Sequence, residues 1–202
     1  MTAASCRAEP ESGPMPELRS LCEEAGRRGD PDPNAATLST AAPDGRPSAR
    51  IVFVSLSDDR GPCVFVNRNS GKARQMAANP YACLSYFWPR LEVQAIVDAR
   101  AEPLADEDSD RLWAHRSRDS QVGAWASLQN GTAVGNDTLS GRAADLRKRF
   151  SLDAVPRPRD WTAFCLHPET VTIWPSGWHR LRTRHRWMRP GDGDWVLAEL
   201  NP

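Results

Sequence analysis

Two groups of cations stand out for their spacing. Arg50, Arg68, Lys72 and Arg74 bracket two apolar runs, Ile51–Val54 and Cys63–Val66. Between the runs, Asp58, Asp59, Gly61 and Pro62 are turn formers, so the stretch reads as a β-hairpin. The small-residue loop Asn69-Ser70-Gly71 follows it. An apolar sheet edged by cations and such a loop suits a flat ligand with an anionic tail. The second group is Arg180, Arg182, Arg184 and Arg186, at every second position. On one strand all four project from one face, forming a cationic wall flanked by Trp174, Trp178 and Trp187. The competing reading is a solvated edge strand protected by charge, with the tryptophans as packing. Gln94, Gln129 and Asn130 are amides in apolar surroundings, able to donate to and accept from a heteroaromatic ring edge.

These residues need elements to position them. Met1 to Pro14 reads as a disordered arm, and residues 15–202 as one domain. Pro16–Arg28 has a helical apolar period. Strands are expected at Ala35–Ala41, from near Ser48 through the hairpin, and at Ala82–Trp88. Leu91–Leu104 alternates, with Val93, Ala95, Val97, Ala99 and Ala101 on one face, as a half-buried antiparallel strand should. Helices are expected over Lys72–Asn79, from an Asp106 N-cap through His115, and over Thr138–Phe150. Ser117–Gly135 reads as a linker. Strands return at Thr162–Leu166, Thr170–Trp174, Arg180–Arg189 and Trp195–Leu200. Hairpin succession without βαβ alternation predicts a mainly β (α+β) fold: an antiparallel barrel with peripheral helices.

Composition excludes several classes. Lys plus Arg and Asp plus Glu are both 26, so there is no basic excess for nucleic acid or membrane surfaces. No apolar run approaches the ~18 residues of a membrane span, and the N-terminus lacks a signal-peptide core. The expectation is a soluble cytoplasmic protein. The four histidines lack metal-ligand spacing, and the five cysteines form no CxxC pair, so no metal is expected. GxGxxG, Walker, GxSxG and HExxH motifs are absent.

Taken together, the segments resemble the pyridoxamine 5′-phosphate oxidase family of FMN-binding split barrels, over Asp32–Pro202. The resemblance rests on RIVFVS (Arg50–Ser55), VFVNRNSGKARQMAANP (Val64–Pro80), LEVQ (Leu91–Gln94), the block Arg116–Asn130, VPRPRDW (Val155–Trp161) and the block Ile173–Trp187. It implies a Greek-key split β-barrel of six to eight strands whose C-terminal part helps form a homodimer, with FMN at the subunit interface. By position, Arg50 and Lys72 would hold the flavin phosphate, while Ile51, Val52, Phe53, Val54, Ser55, Phe65 and Val66 lie on strands beside the cofactor. Gln94 matches an amide near the ring, and Gln129, Asn130, Trp174 and Arg184 match contacts from the second subunit. Gly71 stands where the family usually has arginine, so one phosphate contact is lost or is supplied by Arg68 or Arg74.

The substrate side departs further. Where the vitamin B6 enzymes clamp a substrate phosphate with Lys, Tyr, Arg and Ser, this chain has Ser55, Leu112, Arg116 and Ser120. Charged hydrogen bonds are worth roughly 1.5–3 kcal/mol each, so affinity for a phosphate dianion should fall by orders of magnitude. The family's RLH motif becomes Arg180-Leu181-Arg182. Ser55, Leu112-Trp113 and the Ser57–Gly61 segment are similar to the flavin oxidases of phenazine biosynthesis. The resemblance thus implies an FMN-dependent oxidase in which a reduced nitrogen heterocycle, oriented by Arg180 and Arg182, gives up hydride to the flavin and O₂ reoxidises it. A pyridoxine/pyridoxamine 5′-phosphate oxidase and a flavin-binding protein without turnover are the alternatives.

Overall fold

The structure, a computed structural model, describes residues 13–127, 135–175, 182–191 and 193–202. Strands β1 (Ala35–Ala41), β2 (Pro47–Ser55), β3 (Cys63–Asn67), β4 (Tyr81–Trp88), β5 (Val93–Pro103) and β6 (Trp161–Pro175) form an antiparallel sheet in the order β3-β2-β1-β4-β5-β6. A further β3–β6 pairing closes it into a six-stranded barrel. Strands β7 (Arg184–Met188) and β8 (Val196–Leu200) extend the sheet outward from β6.

Alternation decides which side chains fill the barrel. In β5, Val93, Ala95, Val97, Ala99 and Ala101 are all buried, as their period-2 spacing requires. Leu38, Val52, Val54, Leu84, Tyr86, Leu166, Val171 and Ile173 join them from neighbouring strands. The tight interior uses small residues on β5 to accommodate Tyr86 and Trp88, whose rings stack at 5.2 Å. Helix α1 (Met15–Arg27) adds Leu18, Cys22 and Ala25 to the same core. The Trp88 indole donates to Pro33 O at 2.8 Å, pinning the segment that follows α1.

Four further helices follow: α2 (Gly71–Ala78) and α3 (Asp106–Ala114) lie on the barrel, and α4 (Arg118–Ala126) packs with α5 (Asn136–Arg149). Helix α3 covers the outward face of β3 and β6. There Cys63, Ala163 and Cys165 pack with Leu104 and Leu112. Its acidic first turns are gripped by arginines from three segments. Arg60 donates to Asp108 at 2.7 Å, Arg68 to Asp106 at 3.0 Å, and Arg157 to Asp106 and Asp110 at 3.0 and 2.6 Å. Gly61 lets the β2–β3 connection press against β6. A Cβ there would stand 2.2 Å from Leu166 O and 2.9 Å from Pro168 Cδ. Overpacking of this kind costs about 1–3 kcal/mol. Gly61→Ala is therefore expected to lower the urea midpoint by at least that equivalent.

Several expectations are corrected. The supposed linker contains α4, because the Ser117 hydroxyl accepts from Ser120 N and Gln121, Val122, Ala124 and Ala126 are buried. The two strands expected over Thr162–Trp174 are one long strand, β6, which pairs with β3, β5 and β7 along its length. Asp106 is the first helical residue rather than the cap, a role taken by Ala105. The strand expected from Arg180 begins at Arg184 among the described residues, so Arg182 lies outside it. Trp187 does not flank a cationic wall. It alternates inward into the barrel core, 1% exposed.

Candidate functional site

Arg50 sits on β2 beside α2. Its guanidinium donates to Thr40 Oγ1 at 2.7 Å, Leu38 O at 3.2 Å and Gln75 Oε1 at 3.4 Å. Thr40 in turn donates to Gln75 Oε1 at 2.6 Å, and Gln75 Nε2 donates to Ser48 Oγ at 3.2 Å. These neutral partners fix the direction of Arg50 without neutralising it. Lys72 lies close by on the first turn of α2, whose N-cap Ser70 accepts from Ala73 N. Burial lowers the pKa of both cations, and repulsion from Arg50 lowers that of Lys72 further. Neither forms an ion pair with a carboxylate among the described residues. Two adjacent, partly desolvated cations at a helix N-terminus make a vacancy in charge that a phosphate matches.

Gly71 leaves open space, with nothing within 4 Å of where a Cβ would stand. The two arginines expected to compensate are engaged elsewhere. Arg68 pairs with Asp106, and Arg74 donates to Asn69 O at 2.7 Å.

From this cationic end a band of side chains runs along the outside of the barrel. Ile51 and Phe53, alternating with the buried Val52 and Val54, are 66% and 61% exposed. Val52, Val54 and Val66 point into the core, so only their backbone faces outward. Across the sheet Phe87 pairs with Gln94, and Gln94 with Trp174, placing the amide between two rings on one row. Arg184 stacks on Trp174 with its Cζ 4.3 Å from the ring centroid, and the Trp174 indole donates to Arg182 O at 3.0 Å. Gln129, Asn130, Trp178 and Arg180 lie outside the described residues.

Beyond Phe65 the band ends in an aromatic recess holding Arg116. The Arg116 Cζ lies 4.7 Å from the centroid of Phe65, 5.7 Å from Trp113 and 6.0 Å from Trp161. Burial pushes its pKa down, and its buried Nε has no hydrogen-bond partner. Leu112 forms an apolar shoulder, 7% exposed. Ser55 bonds to Ser57 at 2.8 Å, and Ser120 accepts from Ser117 at 2.8 Å, so neither hydroxyl is committed to a charge. Trp113 and Trp161 were not signalled by spacing. Trp113 is locked by its indole N–H to Val155 O at 2.8 Å, and only the packing of α3 on β6 brings the two rings together. Gln75 was also missed. Its position one turn after Lys72 was the available signal.

A family model described as pyridoxamine 5′-phosphate oxidase matches residues 23–174. The chain belongs to the pyridoxamine 5′-phosphate oxidase family. FMN is its cofactor, and the unneutralised Arg50–Lys72 pair fits the phosphate of that group. The chain is 39% identical to the pyridoxine/pyridoxamine 5′-phosphate oxidase of Anaeromyxobacter dehalogenans, covering 94% of this chain and 95% of that protein. It is 40% identical to the Rubrobacter xylanophilus protein of the same name, over 96% of this chain and 88% of the other. Among solved structures it is similar to PhzG from Burkholderia lata 383 in complex with tetrahydrophenazine-1-carboxylic acid. That match has a TM-score of 0.83 and 29% identity, covering 99% of this chain and all of that one. The split-barrel expectation is borne out, and RIVFVS lies on β2, VFVN on β3 and the end of LEVQ on β5. No helix among the described residues is long and apolar enough to cross a membrane.

Proposed function

We propose that the chain is an FMN-dependent oxidase that dehydrogenates a reduced nitrogen heterocycle bearing a carboxylate, with O₂ as the final acceptor. The observation that carries this reading is the state of Arg116: a half-buried guanidinium set against three aromatic rings, its Nε buried without a hydrogen-bond partner. A single cation in an apolar recess balances a carboxylate monoanion better than a phosphate dianion, which demands more donors than this recess offers. PhzG, whose bound ligand is a tricyclic carboxylic acid, supports the same substrate class.

Bound FMN supplies the two-electron redox chemistry. The chain's own residues do the rest. Arg50 and Lys72 hold the cofactor's phosphate, with Thr40 and Gln75 fixing the Arg50 fork. Ile51, Phe53 and Phe65 offer apolar surface for flat rings, and Gln94 offers an amide to a ring edge. Arg116 orients the substrate anion, while Leu112 and Trp113 exclude water from its side. Arg182 is a second orienting cation: Arg182→Met should weaken substrate use and leave FMN bound. Ile51, Phe53 and Phe87 stay exposed on one chain, which supports a homodimer that completes the site with Trp174 and Arg184 from the second copy.

The runner-up is pyridoxine/pyridoxamine 5′-phosphate oxidase, favoured by the names of relatives 36–40% identical. Steady-state oxygen consumption separates the two. The proposal expects a higher kcat/KM with reduced phenazine carboxylates than with pyridoxine 5′-phosphate, and the reverse order overturns it. A yellow protein that turns over neither donor would be a flavin-binding protein only.

A further inference from the structure

Cys63 and Cys165 face each other across the seam where β3 meets β6 and the barrel closes. The hydrogen-bond pattern fixes what kind of pair they form. Leu166 N donates to Pro62 O at 2.8 Å, and Arg68 N donates to Asp160 O at 2.6 Å. Hydrogen-bonded pairs in an antiparallel ladder recur at every second position, so the even-numbered residues of β3 occupy them. Cys63 and Cys165 therefore form a non-hydrogen-bonded pair. There the Cα atoms approach to about 4.5 Å and side chains on one face lie closest. That separation is within the roughly 4.4–6.8 Å that disulfides span.

The surroundings suit the same chemistry. Both thiols are fully buried between the barrel wall and α3, packed with Leu104, Leu112 and Ala163. Both sulfurs reach Gly61 O, at 3.6 and 3.9 Å. The two sulfurs also lie within hydrogen-bonding reach of each other. A cleft of about 450 Å³, lined by Ser57, Asp58, Arg60 and Leu112 among others, opens on the turn and the leucine that cover the pair. Neither sulfur lines the cleft, so an oxidant reaches the pair only when that turn opens locally.

We propose that Cys63 and Cys165 are a modification site: a thiol pair that hydrogen peroxide converts to a cross-strand disulfide locking the barrel seam. One thiol of the pair, as its thiolate, attacks peroxide, forming an S–O bond as the O–O bond breaks, and the departing hydroxide takes up a proton to leave as water. The other sulfur then attacks the oxidised one, forming S–S as the S–O bond breaks and a second water leaves. Two thiols and one peroxide give one disulfide and two waters. The peroxide can come from any source, so the proposal stands apart from the reaction assigned above.

The test uses the full chain loaded with FMN and treated with equimolar hydrogen peroxide. It is then denatured and alkylated with iodoacetamide. Intact mass should show two fewer alkylated thiols than in the untreated protein, and peptide mapping should give a Cys63–Cys165 linked peptide. Dithiothreitol should restore full alkylation. Cys63→Ser and Cys165→Ser should each abolish the linked species, while Cys83→Ser should keep it. Cys63→Ala, which retains the apolar packing, replaces the serine variant if that one misfolds. Five alkylated thiols after treatment, a link through another cysteine, or sulfinate at Cys165 without a link would each overturn the proposal.

Discussion

Arg50→Met and Lys72→Met are each expected to weaken FMN binding. Both cations sit partly desolvated beside one another with no carboxylate to balance them among the described residues, a placement that fits the proposed phosphate partner. A hydrogen bond to a charged group contributes about 1.5–3 kcal/mol, which corresponds to a rise in the FMN Kd of about 10- to 150-fold for each substitution. Flavin fluorescence titration of the apoprotein measures it. The fold should survive, since the core beneath Arg50 is built from Leu38, Val52 and Val54. Gln75→Leu should give a smaller loss, because it disturbs the aim of Arg50 rather than removing a charge. Unchanged FMN affinity in both cation variants would mean that the phosphate lies elsewhere.

Arg116→Met separates activity from stability. The residue makes one close ring contact, at 4.7 Å, and two longer ones. Cation–π attraction contributes about 0.5–2 kcal/mol. Against it stands an unpartnered buried Nε, which costs about 1–3 kcal/mol. The two nearly offset, and methionine keeps much of the apolar stem in place. Unfolding free energy should therefore change by no more than about 1 kcal/mol, the residual of those terms. Substrate loses its charged anchor, so kcat/KM should fall by about 10- to 150-fold with FMN retained. A fall in stability that tracks the fall in activity would make Arg116 a packing residue instead.

Legibility in the sequence followed the range of the interactions. Strand β5 was plain, because one face meets the barrel interior and the other does not, which prints a period of two on Val93–Ala101. Helix α4 was hidden, since Gly123 and two alanines blur its period and its burial comes from the Trp113–Phe150 cluster. The basic alternation from Arg180 to Arg186 looked like one strand face. Yet Trp187 turns into the core, and the described strand starts only at Arg184, where pairing with β8 begins. Arg50 and Lys72 could be singled out as cations flanking an apolar hairpin. Their lack of counter-charge could not, because it depends on where every carboxylate ends up. Arg68 shows the converse: it looked available for a phosphate until Asp106, 38 residues on, claimed it. Arg116 came to notice only through family resemblance. Its rings arrive from β3, α3 and the start of β6, and no local pattern joins them.

The closing of the barrel also sets a timetable for the growing chain. Strand β3 meets β2 through two residue pairs, Val54–Val64 and Ser55–Cys63, but meets β6 through five. Those five partners are translated between 94 and 102 residues later. Until Trp161–Cys165 leaves the ribosome, β3 presents Val64, Phe65 and Val66 along an unpaired backbone, a template for pairing with other nascent chains. Truncations that stop before Trp161 should accumulate as aggregates, while full-length chains fold slowly, governed by that distant pairing.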